Sequence, residues 1–243
     1  MAYLELFDLP GAVYPRRVLI YLHEKGLINS PHIKITPVTI SPTLETSAPG
    51  KPKGTLPILA LPDGTFIKQS IAILEYLEDI CDNPQEEWQK EFVATAKPSM
   101  RGISARERAT TNEALAIVDE AAAFFGFACH KGSKLFFGRE PTSPITAKLA
   151  IGWAEKNLKN LEPYYNGRYE EGSPETQVTI ADCVLFSLLQ FAKELYQVGL
   201  VADPELLNLK RFYNAFKERK STFLSPDMWP PQVRELAPVW LEE

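Results

Sequence analysis

The chain has 243 residues, 45% hydrophobic and 23% charged, enough apolar material for one large domain or two small ones, so disorder throughout is excluded. It carries 26 basic against 31 acidic residues, a net charge of −5, which argues against nucleic acid or an anionic membrane as the main partner. No apolar run is long enough to span a bilayer, and no basic segment leads into an apolar run and a cleavage site, so neither a membrane span nor a secretory signal is expected.

Tyr3 to Asp8 alternates around Leu4 and Leu6 and reads as a strand. After the Pro10-Gly11 turn, Pro15 suits a first helical position. Arg16 to Lys25 continues a helix with Val18, Leu19 and Leu22 on one face, stopped by Gly26. Ile33 to Ile40 is a second strand, with Pro37 marking an edge or an irregularity. Ser41 to Gly54 is a loop. Leu56 to Leu61 and Thr65 to Lys68 form a hairpin about Pro62-Asp63-Gly64. Ser70 then caps a helix with Ile73, Leu74, Leu77 and Ile80 on one stripe. The β-α-β start predicts two parallel strands.

Asn83 to Arg101 contains two prolines and a charged run and reads as an interdomain connection, partly helical. The rest reads as helical: Ala105 to Cys129 with Leu115, Val118, Ala122 and Phe125; Ile145 to Leu161 with Leu149, Trp153 and Leu158; Thr179 to Gln197; and Pro204 to Lys220. Beyond Ser225 an extended tail is expected over the helices. Cys81, Cys129 and Cys183 are odd in number and widely spaced, which disfavours a disulfide framework. Three histidines without ligand spacing disfavour a metal site.

Gly54-Thr55-Leu56-Pro57-Ile58-Leu59, Pro62-Asp63-Gly64-Thr65, Gln69-Ser70-Ile71-Ala72-Ile73 and Tyr76-Leu77, in that order, resemble the glutathione-binding half of cytosolic glutathione S-transferases. Asp8 to Val18 followed by Glu24-Lys25-Gly26 resembles that family's first strand and helix, and Tyr-Pro-x-Arg-Val is similar to its fungal members. Thr179-Ile180-Ala181-Asp182 is similar to its helix-capping box, a structural device. The resemblance implies an α/β plus all-α fold: a thioredoxin-like N-terminal domain over 1–83, a linker over 84–101 and a helical-bundle domain over 102–243. It also implies glutathione as co-substrate or cofactor, a small apolar second substrate, a cytoplasmic homodimer, and no nucleic acid, membrane or metal.

By the same resemblance, a cis Pro57 turns the Leu56 backbone outward to pair with the cysteinyl unit. Gln69 and Ser70, at a helix start that favours anions, meet the γ-glutamyl carboxylate; otherwise Ser70 serves only as a cap. Lys53, or Lys51, meets the glycine carboxylate or stays solvated, and Thr55 stands where the family often has lysine. The usual hydroxyl or thiol beside the sulfur falls at Ala12 or Val13, which have no donor. Tyr14 either bonds the sulfur or packs at the helix start. Backbone N–H groups with a bound water are a third route. His130 either approaches the sulfur through a water, as in some fungal relatives, or only favours its helix C-terminus. Cys129 reads as a buried hydrophobe. Three functions follow. One is transfer of glutathione to a small electrophile, a fungal metabolite in one version. The second is glutathione-dependent cis–trans isomerisation of a conjugated double bond in secondary metabolism. The third is a non-catalytic binding or assembly module.

Overall fold

The computed structural model describes residues 3–170, 177–225 and 228–242. The extreme ends of the two expected domains, and positions 226–227 at the start of the expected tail, lie outside the described residues.

The N-terminal half is a four-stranded sheet in the order β2-β1-β5-β6. Strand β1 (Leu4–Asp8) pairs in parallel with β2 (Ile33–Pro37), as the β-α-β pattern requires. It pairs antiparallel with β5 (Ile58–Ala60), which pairs with β6 (Phe66–Ile67) through the expected hairpin. Asp63 closes that turn by accepting hydrogen bonds from the Thr65 N–H and hydroxyl, and Gly64 takes a φ of 84°. The expected single strand Ile33 to Ile40 is interrupted after Pro37. Proline has no N–H for the ladder, and Thr39–Ile40 (β3) instead pairs with Thr46–Ser47 (β4) inside the expected loop.

Helix α1 (Val13–Lys25) begins two residues earlier than expected, so Pro15 is its third residue rather than its first. The N–H groups of the first turn have no intrahelical acceptor, so proline is tolerated there. Gly26 closes the helix at a φ of 82°. Helix α2 (Ser70–Asp82) buries Ile73, Leu74, Leu77 and Ile80 as its stripe predicts. Its cap position is Gln69, and Ser70 is its first helical residue, so the Ser70 hydroxyl is not the cap. Within the connection lies α3 (Glu87–Val93), closed at its start by a Glu86–Gln89 capping box.

The C-terminal half is helical: α4 (Ala105–Gly132), α5 (Pro144–Leu161), α6 (Ile180–Glu194), α7 (Leu207–Phe216) and α8 (Pro231–Leu236). The α4 residues Leu115, Val118, Ala122 and Phe125 are buried. Helix α5 departs from expectation: Leu158 is buried, but Leu149 and Trp153 are 64% and 51% exposed, and alanines fill the packed stripe against α4. Both α6 and α7 end a few residues earlier than the sequence suggested. The tail is not wholly extended, because Pro230-Pro231 starts the short α8. Thr179 and Asp182 form the capping box of α6, and Asp182 also accepts hydrogen bonds from Tyr165, Tyr169 and Arg168. Among the described residues no helix is long and apolar enough to cross a membrane.

Asp8 ends β1 fully buried, and neither carboxylate oxygen has a hydrogen-bond partner. Burial pushes its pKa up from 3.8 to about 7, against the opposing pull of Arg16. Below pH 4 the group is protonated in folded and unfolded chains alike. Between about pH 4 and 7 the unfolded chain releases a proton that the folded one retains, so stability falls as pH rises. Asp8→Asn should therefore flatten the decline of Tm between pH 4 and 8, and raise stability at pH 8 by up to about 4 kcal/mol. A variant no more stable than the parent at pH 8 in urea titration would contradict this.

Candidate functional site

A cleft of about 450 Å3 opens between the two halves. Its N-terminal wall is the start of α1 and the approach to β5. Its C-terminal wall is the end of α4, the residues around Leu195 and the indole of Trp229. The sheet places the first wall: β1 delivers the chain to Leu9, and the α1 first turn presents Ala12, Val13 and Tyr14 to the opening. The Leu56–Pro57 bond is cis, and Leu56 lies outside the ladder, which begins at Ile58. Gly54, Thr55 and Leu56 thus line the cleft rather than the sheet interior.

Of the expected site residues, the structure brings Tyr14, Leu56 and His130 to this cleft. Pro57 is buried beside it, and Lys53, Gln69 and Ser70 are not among its lining residues. Lys53 is exposed, and its carbonyl accepts a hydrogen bond from Lys68 Nζ at 3.2 Å. Lys51 Nζ is turned back on the Pro52 and Gly54 carbonyls. Lys68, not singled out from the sequence, stands beside Lys51 as a second ammonium at the Gly54 corner.

Tyr14 stands in the first turn of α1 with the Arg17 guanidinium 4.5 Å from its ring centroid. Burial raises its pKa; Arg17 opposes this and Asp119 adds to it. The phenol consequently stays protonated at neutral pH and acts as a hydrogen-bond donor. The first-turn N–H groups of Val13 and Tyr14 point the positive end of the helix in the same direction.

His130 stacks on Phe136 at 3.9 Å between ring centroids, and its Nδ1 meets Glu140. Burial works to raise the Glu140 pKa, but hydrogen bonds from His130 and Lys131 prevail and hold it below the usual range. The ionised carboxylate accepts, so Nδ1 carries the proton and Nε2 is left as the basic atom. Glu140 had no signal in the sequence: it lies ten residues on, across a 3-10 turn.

Ser70 has a role beyond those read from sequence. Its hydroxyl accepts from Arg17 Nη1 at 3.2 Å, and the same nitrogen reaches Asp119 at 2.6 Å. Arg17 is fully buried, while Asp119 on α4 is half exposed. Burial lowers the Arg17 pKa, and Asp119 is the principal group opposing it. Its Nε and Nη2 are sequestered without partners, so Asp119 is its directly bonded anion. Asp119→Ala should destabilise the fold by on the order of 2–3 kcal/mol in urea titration, and Asp119→Asn by less, because an amide oxygen still accepts. Equal stability of all three proteins would show that the pair contributes nothing.

Residues 13–80 match the family described as glutathione S-transferase, N-terminal domain. A glutathione S-transferase 2 of Saccharomyces cerevisiae is 33% identical over an aligned stretch of 86 residues that covers 32% of this chain and 34% of that protein. The match in sequence thus spans about a third of that relative. Solved structures extend the likeness to the whole fold. The Gtt2 structure from Saccharomyces cerevisiae aligns with a TM-score of 0.65 at 19% identity, over 90% of this chain and 98% of that one. A glutathione transferase family member from Pseudomonas fluorescens, solved with bound glutathione, aligns at 0.66 and 17% identity, over 90% and 96%. Residues 13–80 thus match the glutathione S-transferase N-terminal domain, and the fold of the chain as a whole is that of the solved glutathione transferases.

Proposed function

We propose that the protein is a glutathione-dependent transferase acting on a small apolar electrophile. The observation that carries this reading is the cleft itself, where the outward Leu56 edge, the positive start of α1 and an apolar wall meet. In this reading the domains divide as 1–83, 84–101 and 102–243. An extended peptide suits an exposed backbone edge, so the cysteinyl unit lies along Leu56 beside Pro57. The γ-glutamyl carboxylate lies at Gln69 and Ser70, where the α2 N-terminus and buried Arg17 supply positive potential. The glycine carboxylate faces Lys53 and Lys68.

The thiol then sits at the start of α1. A free thiol has a pKa near 8.5, and the thiolate is the attacking form. Ala12 offers no donor, so the Val13 and Tyr14 N–H groups and the Tyr14 hydroxyl stabilise the anion. Nε2 of His130, with Glu140 holding the opposite nitrogen, accepts the proton through a water. Leu9, Leu44, Leu195 and Trp229 receive the electrophile. The exposed apolar face of α4 and α5, where Phe124 stacks on Trp153 beside Phe127 and Leu149, supports a homodimer, and a cytoplasmic setting suits free cysteines.

The missing hydroxyl at Ala12 favours a second reading, in which glutathione adds reversibly to a conjugated double bond, permits rotation and leaves. The two are separated by glutathione itself, which transfer consumes and isomerisation returns.

Calorimetric titration with glutathione, followed by thiolate absorbance against pH, tests both. Binding is expected, with the bound thiol titrating at least about one unit below 8.5. Tyr14→Phe and His130→Ala should each lower kcat by on the order of 10- to 100-fold, with Glu140→Gln intermediate. Absence of binding at millimolar glutathione would overturn both enzyme readings and leave a binding or assembly module.

A further inference from the structure

The hairpin of β3 and β4 contributes Ile40, Leu44 and Thr46 to the cleft, and the turn after α4 contributes Leu135 and Phe136. One side chain joins the two. Arg139 donates from Nε to the Leu135 carbonyl at 3.0 Å, from Nη1 to the Thr43 carbonyl at 3.0 Å and from Nη2 to the Pro42 carbonyl at 2.8 Å. The first bond reaches back to its own turn and fixes the guanidinium plane. The other two grip consecutive carbonyls, 96 and 97 residues away in the chain. A planar fork with fixed donors suits such a pair better than a lysine ammonium does.

The gripped turn is bonded within itself. The Ser41 N–H donates to the Glu45 carbonyl, and the Ser41 carbonyl accepts from the Leu44 N–H. The Ser41 hydroxyl accepts from the N–H groups of Thr43 and Glu45. Pro42, Thr43 and Glu45 are exposed, so the turn is a small rigid unit with little buried surface of its own. Directly after the gripped carbonyls, Leu44 takes a φ of 68°, a left-handed conformation that leucine keeps only where its surroundings hold it. Leu44 is partly buried against the main core and lines the cleft. Because one guanidinium bonds the carbonyls of both Thr43 and Leu135, the sheet-side and helix-side walls meet at that point.

We propose that Arg139 latches this seam and is a positioning residue for the second substrate. By holding the hairpin down it keeps Leu44 across the end of the cleft. The site then takes compact electrophiles, with an aryl or short alkyl body, and turns away long chains. The inference rests on glutathione occupying the cleft as proposed above, and it names what limits the reach of the partner. Arg139 itself is exposed and is not among the lining residues, so it acts through Leu44.

The probes are S-methyl-, S-hexyl- and S-decylglutathione, titrated calorimetrically into the full chain. Affinity should rise from methyl to hexyl as apolar surface is buried, then fall by at least about threefold at decyl, where the added methylenes meet the seam. Arg139→Gln removes the fork at an exposed position. It should tighten S-decylglutathione by at least about tenfold and leave S-hexylglutathione within about threefold. Arg139→Lys should lie between the two, since it keeps the charge and loses the fork. Leu44→Gly suits the left-handed backbone and removes the wall with the latch intact, so it should admit the decyl chain as Arg139→Gln does. Tighter binding of decyl than hexyl by the parent, or a decyl-to-hexyl ratio unchanged in Arg139→Gln, would overturn the latch while leaving the glutathione reading in place. Failure of the parent to bind any of the three is a different result, which overturns the glutathione reading and the latch with it.

Discussion

Helix α1 has to carry charge into the interior. Eleven of its thirteen residues are buried, among them Arg16, Arg17, Glu24 and Lys25. An ion out of water is tolerated only with partners, and each of these four finds them on a different part of the chain. Arg17 reaches Asp119 on α4, and Lys25 meets Glu78 on α2 at 2.7 Å. Glu24 takes a two-pronged bond from Arg219 and a third from Ser221, and Arg16 is held by Gln190 on α6. The helix is thus a peg whose four charges each fit one socket. Since the cleft opens at the N-terminus of that peg, the sockets set where the cleft is and which elements face it.

These contacts are better read as orientation than as net stability. A buried ion pair gains little over a well-packed apolar substitute, while half of one is strongly unfavourable. Any sliding of the helical half against the sheet would strand Arg17 and Glu24 together. The Glu78 cluster works alike at the other end: its carboxylate takes bonds from Lys25, Tyr21, Ser99 and the Met100 N–H, tying α1, α2 and the interdomain connection at one point.

What the sequence revealed and what it withheld divide along the same line. Local signals were legible: the alternation of Leu4 and Leu6, the Asp63-Gly64 turn, Gly26 at a helix end, the Thr179–Asp182 box. Each is a matter of neighbours within four residues. The amphipathic reading of α1 found Val18, Leu19 and Leu22 but could not find its charged sockets, because Asp119 and Arg219 lie 102 and 195 residues from the side chains they bind. Leu149 and Trp153 show the converse failure. They have helical spacing, yet alanines make the closer fit against α4, leaving the large side chains outside. Ser70 illustrates both: a helix start was legible at that point, whereas its engagement by Arg17 depended on a helix from elsewhere in the chain.

The same inward turn of charge decides what the cleft can do. With Arg16 and Arg17 drawn into the interior, the α1 wall presents backbone and the Tyr14 phenol. Opposite stand two further protic groups, the Cys129 thiol and the Tyr196 phenol. Burial pushes both far above their ordinary ionisation range, so neither supplies a nucleophile or a base near neutrality. His130 is different in kind. It is half exposed, its Nδ1 is engaged by an ionised Glu140, and its second nitrogen is the one basic side-chain atom among the described residues lining the cleft. Anion stabilisation and proton acceptance are therefore assigned to opposite walls, the first to the start of α1 and the second to the end of α4. A chemistry that runs there has to generate its anion between two halves of the fold that the buried charges of α1 hold in register.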